Sequence, residues 1–199
     1  MIEVEIKVGI SNPAEIKKML EKNNAFYKSS LYHQDTYFNM PKGLRDFKET
    51  DEALRVRKSL EFNKKDEKEI KKAICSITYK GKKIDSITKT RKEIEVNLDD
   101  FEKIIEILKV LGFKEFLTIK KERELYEVEY KSKKLSLLVD FIPILNRYFL
   151  EVEIMAENVN DVENFRNILL KFLNLLGIDK KESIRKSYLE LIMDKYDVP

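Results

Sequence analysis

Glu3-Val4-Glu5-Ile6-Lys7-Val8, near the start of the chain, alternates charged with β-branched residues. An extended strand repeats its side-chain direction every second residue, so Glu3, Glu5 and Lys7 share one face and Val4, Ile6 and Val8 the other. Taken alone, the pattern fits any half-solvated strand with its charges in water. The same mixed-sign alternation returns at Leu54-Arg55-Val56-Arg57, Arg91-Lys92-Glu93-Ile94-Glu95, Lys121-Glu122-Arg123 and Glu151-Val152-Glu153-Ile154. A plain solvated face has no need of arginines in i, i+2 pairs, so the recurrence predicts a charged surface built by several strands.

The other periodicities give the order of elements. A strand over 2–9 precedes a helix over 12–23, with Pro13 in its first turn. A β-rich segment (31–39) and a loop with Pro41-Lys42-Gly43 lead to a strand at 53–57, whose hairpin partner is 73–80. The charge run 63–69 between them reads as a mobile, solvated tip without chemistry. Residues 89–97 alternate again. Asp99-Asp100 then open a helix with apolar residues at Phe101, Ile104, Ile105, Leu108 and Leu111, stopped at Gly112. Strands follow at 116–130, 135–142 and 148–155, the first two joined by the turn 131–134, and amphipathic helices at 160–176 and 182–195 end the chain. The fold class is α+β, mainly β: about eight antiparallel strands closing into a barrel, with helices packed on the outside. The 199 residues read as one domain.

The two faces of such a barrel are not equivalent. Ile2, Val4, Ile6, Leu54, Val56, Ile94, Val96, Val152 and Ile154 form an aliphatic face suited to packing under the helices, which turns the charged face inward. That face carries Glu3, Glu5, Lys7, Arg55, Arg57, Lys80, Arg91, Glu93, Glu95, Lys121, Arg123, Asp140, Glu151 and Glu153, with acids and bases in equal number. An uncompensated buried ion costs several kcal/mol, so the interior is wet, internally paired, or filled by a charged ligand. Polyphosphate with a divalent cation uses both signs: Arg and Lys bind phosphate oxygens, and carboxylates bind the cation. No P-loop or glycine-rich cradle is present.

Composition narrows the setting. Charged residues make up 38% of the chain, but 39 Lys+Arg against 36 Asp+Glu leave only +3, which argues against a dedicated nucleic-acid coat. Abundant Lys and Glu with few Gly and Pro resemble the ion-pair-rich chains of heat-adapted organisms. Cys75 is the only cysteine and sits in the apolar run 73–77, which predicts buried packing rather than a nucleophile. The start of the chain fits neither a signal nor a transit peptide, and no apolar run approaches a membrane span, so a cytoplasmic location without membrane association is expected. Oligomeric state has no readable signature.

The ordered motifs resemble the CYTH, or triphosphate tunnel metalloenzyme, superfamily. Glu3-Val4-Glu5-Ile6-Lys7 is similar to its ExExK signature, and His33-Gln34-Asp35-Thr36-Tyr37-Phe38-Asn39 to its HxDTYFD segment. Leu54-Arg55-Val56-Arg57, Thr78-Tyr79-Lys80-Gly81, Arg91 to Glu95, Lys121-Glu122-Arg123, Asp140 and Glu151-Val152-Glu153 follow in the family's order, so the resemblance spans about residues 1–190. It implies a closed eight-stranded tunnel that binds a small-molecule triphosphate, ATP or tripolyphosphate, with Mg²⁺ or Mn²⁺ and no specific nucleic acid. Glu3, Glu5, Glu151 and Glu153 would hold metal, with Asp140 assisting. Lys7, Arg55, Arg57, Lys80, Lys121 and Arg123 would clamp phosphates, joined by Arg91. The implied catalytic set is Glu3, Glu5, Lys7, Arg55, Arg57, Lys121 and Arg123. The chain's length and its His-Gln-Asp-Thr-Tyr-Phe segment look most like the class IV adenylyl cyclase branch, which converts ATP to cyclic AMP and pyrophosphate. A triphosphatase acting on inorganic triphosphate, thiamine triphosphate or a nucleotide is the second implied reading, and a non-catalytic polyphosphate- or nucleotide-binding module the third. Asn39 replaces the family's usual Asp, which touches a peripheral contact.

Single residues outside this pattern have plainer readings. His33 titrates near neutrality in isolation, but its place at a strand start, away from the charged pairs, assigns it to structure. Tyr37 and Phe38 read as core or tunnel rim, the turn Phe141-Ile142-Pro143 as packing, and Lys92 as exterior by its parity against Arg91.

Overall fold

The computed structural model describes residues 2–63, 66–85 and 88–197. Strand β1 (Ile2–Ile10) precedes helix α1 (Pro13–Lys22), followed by strands β2 (Phe26–Asn39), β3 (Ala53–Asn63), β4 (Asp66–Lys83) and β5 (Arg91–Leu98). Helix α2 (Phe101–Val110) leads into β6 (Lys114–Tyr130), β7 (Lys133–Ile142) and β8 (Arg147–Ala156), and helices α3 (Val162–Leu175) and α4 (Tyr188–Tyr196) complete the order. The strands close into an antiparallel barrel in the order β1-β5-β4-β3-β2-β6-β7-β8, as the alternation predicts.

Local chemistry sets the element ends. The Asn12 side chain accepts the Glu15 amide at 3.2 Å and Asp100 accepts that of Lys103 at 3.0 Å, so both helices start on a side-chain cap. Between β6 and β7, Lys131 and Ser132 adopt φ of 51° and 57°, the twist that a two-residue hairpin turn demands. The turn is therefore tighter than the four residues expected from sequence. Strands β3 and β4 also run further out than expected, meeting at Asn63 and Asp66. Lys64 and Lys65, at the heart of the charge run read as a mobile tip, lie outside the described residues.

The aliphatic face lies outward and is covered unevenly. Val4, Ile6, Val8 and Val152 are buried beneath Phe165, Leu169, Phe172 and Leu173 of α3. Helix α2 packs on β3 and β6, burying Val56 and Cys75 against Phe101 and Leu108. Ile94 and Val96 of β5 are 52% and 56% exposed. The expectation that helices cover their face is corrected here: α2 spans the neighbouring strands and stops short of β5.

The barrel seam between β1 and β5 is short, with Ile2 opposite Lys92 and Glu3 opposite Arg91. Beyond it, the Glu5 carbonyl accepts the Lys89 amide at 3.0 Å, the Lys7 carbonyl accepts the Ile184 amide at 2.7 Å, and Val8 bridges to Ser183. Extended residues before α4 thus fill the gap as a partial stave. This is why the last helix begins at Tyr188, where Ser187 and Glu190 form a capping box, and not at 182 as helical periodicity suggests. Tyr37, Ile119, Ile142 and Phe149 share the inward parity of the charged positions, yet they are apolar and pack with Tyr188 and Ile192 of α4. Helix α4 therefore stoppers one end of the barrel. Among the described residues no helix is long and apolar enough to cross a membrane.

Candidate active site

The interior is a cavity of about 1140 Å³. It is lined by every candidate residue named from the sequence except Lys7 and Asp140. Strands β1 and β8 supply an acidic wall. Glu5 stands directly opposite Glu153 in the register, and carboxylate oxygens of Glu3, Glu5 and Glu153 lie within 4.8 Å of one another. Like charges opposed across strands repel, and among the described residues Glu3 and Glu153 make no ion pair. Burial and the adjacent Glu3 push the Glu153 carboxyl well above its ordinary range. Burial and the neighbouring Glu151 charge push Glu5 up to about 8, although Lys89 opposes them. Such a set, all oxygen donors and short of positive charge, fits a hard divalent cation such as Mg²⁺ or Mn²⁺.

The basic wall comes from β3, β4, β5 and β6, and each of its cations rests on a carboxylate. Arg57 forks onto Asp35 at 2.6 and 2.7 Å, and Arg55 donates to Thr78 at 3.0 Å and to Glu95 at 3.4 Å. Lys80 pairs with Glu93, and Arg91 approaches Asp51 at 3.6 Å. Arg123 forks onto Asp140 with two 2.6 Å bonds and reaches Glu151 at 2.6 Å. Asp140, fully buried, also accepts the Tyr188 hydroxyl at 2.9 Å and faces Lys121 at 3.5 Å. Asp140 and Glu151 are thus engaged by cations, apart from the cluster of Glu3, Glu5 and Glu153. Burial, then the neighbouring Arg123, lowers Lys121 to about 8, although Asp140 opposes them.

Lys7 follows its parity inward but meets the stopper rather than the cavity. It is fully buried, donates to the Lys186 carbonyl, and its Nζ lies 4.2 Å from the centre of the Tyr188 ring.

A family model described as the CYTH domain matches residues 1–188. This chain belongs to the CYTH family. CYTH proteins bind triphosphate substrates, their tunnel enzymes are metal-dependent, and members are adenylate cyclase-like or triphosphatase enzymes. The chain is 41% identical over 192 residues to a Methanocaldococcus jannaschii protein named "Putative adenylate cyclase MJ0240", covering 96% of this chain and 98% of that one. The structure of PH1819 from Pyrococcus horikoshii OT3 superposes with a TM-score of 0.82 at 34% identity, over 97% of this chain and 99% of that one. A Hippeastrum protein, HpAC1, for which a dominant triphosphatase activity is described, shares the fold with a TM-score of 0.59 at 14% identity, over 97% and 96% of the two chains.

The structure brings into this CYTH tunnel several residues that the sequence reading left without a role. Asp35 holds Arg57 and Arg55, which keep its carboxyl far below the usual range although burial alone would raise it. Lys89 enters just before β5, at the head of the alternation over 89–97 and on the parity of Arg91, Glu93 and Glu95, which turns it inward without saying what it meets. Tyr188 closes the cavity floor. Asp35 lies inside the HxDTYF-like segment, so a signal existed, but its partner is fixed only by the register that sets it opposite Arg57. Asn39 accepts the amides of Met40 at 2.9 Å and Phe47 at 3.0 Å, folding the loop over the rim. An aspartate offers the same acceptor, so the departure from the family pattern costs nothing there. His33 is buried with Nδ1 unpaired, and burial, then Arg57, Lys121 and Arg123, keep the ring neutral.

These shifts set a pH dependence for the metal-free protein. Glu5 has a folded pKa of about 8, above its ordinary 4.5, so between those values the folded state binds the extra proton and stability falls as pH rises. Burial, then Lys89, lowers Lys7 to about 7, so above that pH the unfolded state binds more protons and stability rises. In chelator, the melting temperature should decline from pH 5 to 7, pass a minimum near 7–8, and recover toward pH 10. Adding Mg²⁺ should remove the decline, because the cation replaces the proton. A melting temperature that climbs from pH 5 to 7 in chelator contradicts this assignment.

Proposed function

We propose that the tunnel binds the triphosphate of ATP with Mg²⁺ or Mn²⁺ and cyclises it to cyclic AMP and pyrophosphate. The observation that carries this reading is a single cavity with an acidic wall of Glu3, Glu5 and Glu153 facing a basic wall of Arg55, Arg57, Lys80, Lys121 and Arg123. Phe47, Phe116, Leu189 and Met193 line the same cavity, so beyond the charged walls there is apolar room for a nucleoside. The 41% identity to the protein named "Putative adenylate cyclase MJ0240" favours cyclisation over hydrolysis.

In cyclisation the ribose 3′ hydroxyl oxygen bonds to the α-phosphorus and gives up its proton to water, the bond from that phosphorus to the bridging oxygen breaks, and pyrophosphate leaves with the electron pair. Glu3, Glu5 and Glu153 would hold a divalent ion, which would supply positive charge to neutralise phosphate oxygens. The remaining work falls to the basic wall. Arg55, Arg57 and Arg123 are oriented by Thr78, Asp35 and Asp140 before substrate arrives, so charge developing on the leaving group meets fixed donors. Lys121, whose ammonium is disfavoured by burial and by Arg123, gains from the charge of an incoming phosphate.

Incubation with ATP, GTP, thiamine triphosphate and tripolyphosphate, each with Mg²⁺ or Mn²⁺, tests the reading by its products. Cyclic AMP with pyrophosphate is expected. Orthophosphate without cyclic nucleotide would replace it by the triphosphatase, which uses the same two walls with water as the attacking group. No turnover, but a higher melting temperature with tripolyphosphate, would leave a binding module.

A further inference from the structure

Asn39 ends β2 at the tunnel rim, half-buried, and lines the cavity together with Phe47, Phe116, Leu189 and Met193. Two aromatic rings belong to its immediate surroundings. Phe47 is bonded to it through its amide, and Phe116 stands two residues beyond Lys114, the β6 residue opposite Asn39. The two polar atoms of the Asn39 side chain have different fates. Oδ1 accepts the amides of Met40 at 2.9 Å and Phe47 at 3.0 Å, and these bonds fix which end of the group is oxygen. Nδ2 keeps two N–H donors without a protein partner among the described residues, and it is not sealed from solvent. At this place the cavity presents aromatic and aliphatic carbon with a hydrogen-bond donor set into it. A planar heteroaromatic ring satisfies both, its face on an aromatic ring and its edge offering an acceptor.

We infer that Asn39 reads the nucleobase, donating from Nδ2 to a ring nitrogen of adenine while Oδ1 holds the amide of Phe47, on whose ring the base stacks. This rests on the reading of ATP as the substrate. Adenine offers three acceptors on its rings, N1, N3 and N7, since N9 is bonded to the ribose. The aspartate that is usual in the family at this position would hold the same two amides but leave a carboxylate oxygen, which only accepts. Asparagine therefore reverses the polarity of the one atom left to the cavity without disturbing the loop. An acceptor suits the amino groups of a base, whereas a donor suits its ring nitrogens. Asn39 sets specificity and takes no part in bond making.

The test is a cycle of affinities, measured by titration calorimetry with Mg²⁺. Its ligands are α,β-methylene-ATP, which cannot lose pyrophosphate, and the 1-, 3- and 7-deaza analogues of it, each lacking one ring nitrogen. In wild type one of the three analogues should bind about 10-fold more weakly than the parent, and in Asn39→Asp that difference should vanish or reverse. The charge added by the variant cancels in the comparison. Its melting temperature should match wild type, because the carboxylate keeps both amides. Three analogues that all bind wild type as the parent does overturn the inference, and so does a difference that persists in Asn39→Asp. Should Asn39→Asp fail to fold, Asn39→Ser, too short to carry the contact, takes its place in the same cycle with the same two outcomes. Wild type that binds α,β-methylene-ATP no more tightly than methylene-bridged tripolyphosphate defeats the nucleotide reading and the inference with it, a result distinct from either.

Discussion

Glu3→Gln and Glu153→Gln should each lower turnover by about 10³-fold, the rate equivalent of roughly 4 kcal/mol of lost charge stabilisation. Both residues belong to the carboxylate cluster whose oxygens lie within 4.8 Å, and neither has an ion-pair partner among the described residues. Glutamine keeps the size and one acceptor oxygen but removes the charge, so the cluster loses its claim on a divalent ion while its packing persists. The metal-free melting temperature should rise or stay unchanged, because burial and the adjacent Glu3 already push the Glu153 carboxyl toward its neutral form. A structural role for these glutamates would instead lower it. Steady-state rates, a Mn²⁺ titration and a thermal melt on the same samples separate the two, and turnover retained in both variants would sink the metal assignment.

Arg123→Met should destabilise the fold by about 3–5 kcal/mol, because it strips buried Asp140 of its two short bonds to a cation and leaves Glu151 with Lys89 alone. Arg123 bonds Asp140 twice and Glu151 once, all at 2.6 Å, and Asp140 is fully buried. The pair is costly to break on one side only. Replacing Asp140 by leucine in the same variant should recover part of the loss, since a neutral, well-packed replacement avoids the stranded charge. Urea denaturation measures both, and the single change should lower the melting temperature by roughly 6–20 °C for a chain of this size. A cost under about 1 kcal/mol would mean that water reaches the network as it reaches a surface pair.

The legible part of this molecule was whatever follows the period of a strand. Parity alone turned Glu3, Glu5, Glu151 and Glu153 inward and Val4, Ile6 and Val152 outward, and their burial agrees. Parity could not say whether an inward residue meets cavity or stopper. Lys7 obeys it and still lies outside the cavity lining, because α4 brings Tyr188 and the Lys186 carbonyl over it. Nor could parity give Lys89 its partners: it shares the parity of Arg91, Glu93 and Glu95, yet it sits just before β5 and reaches Glu5 and Glu151.

The sequence by itself determined the closed barrel and its charged interior, because side-chain alternation and cross-strand repetition are local properties of the chain. Tertiary structure alone decided how the charges divide. Glu5 meets Lys89 across 84 residues, and Glu151 meets both Lys89 and Arg123 from opposite sides of the barrel. Coulombic energy depends on distance through space, and at buried sites it is strong enough to separate an acid that is already paired from one still short of a cation.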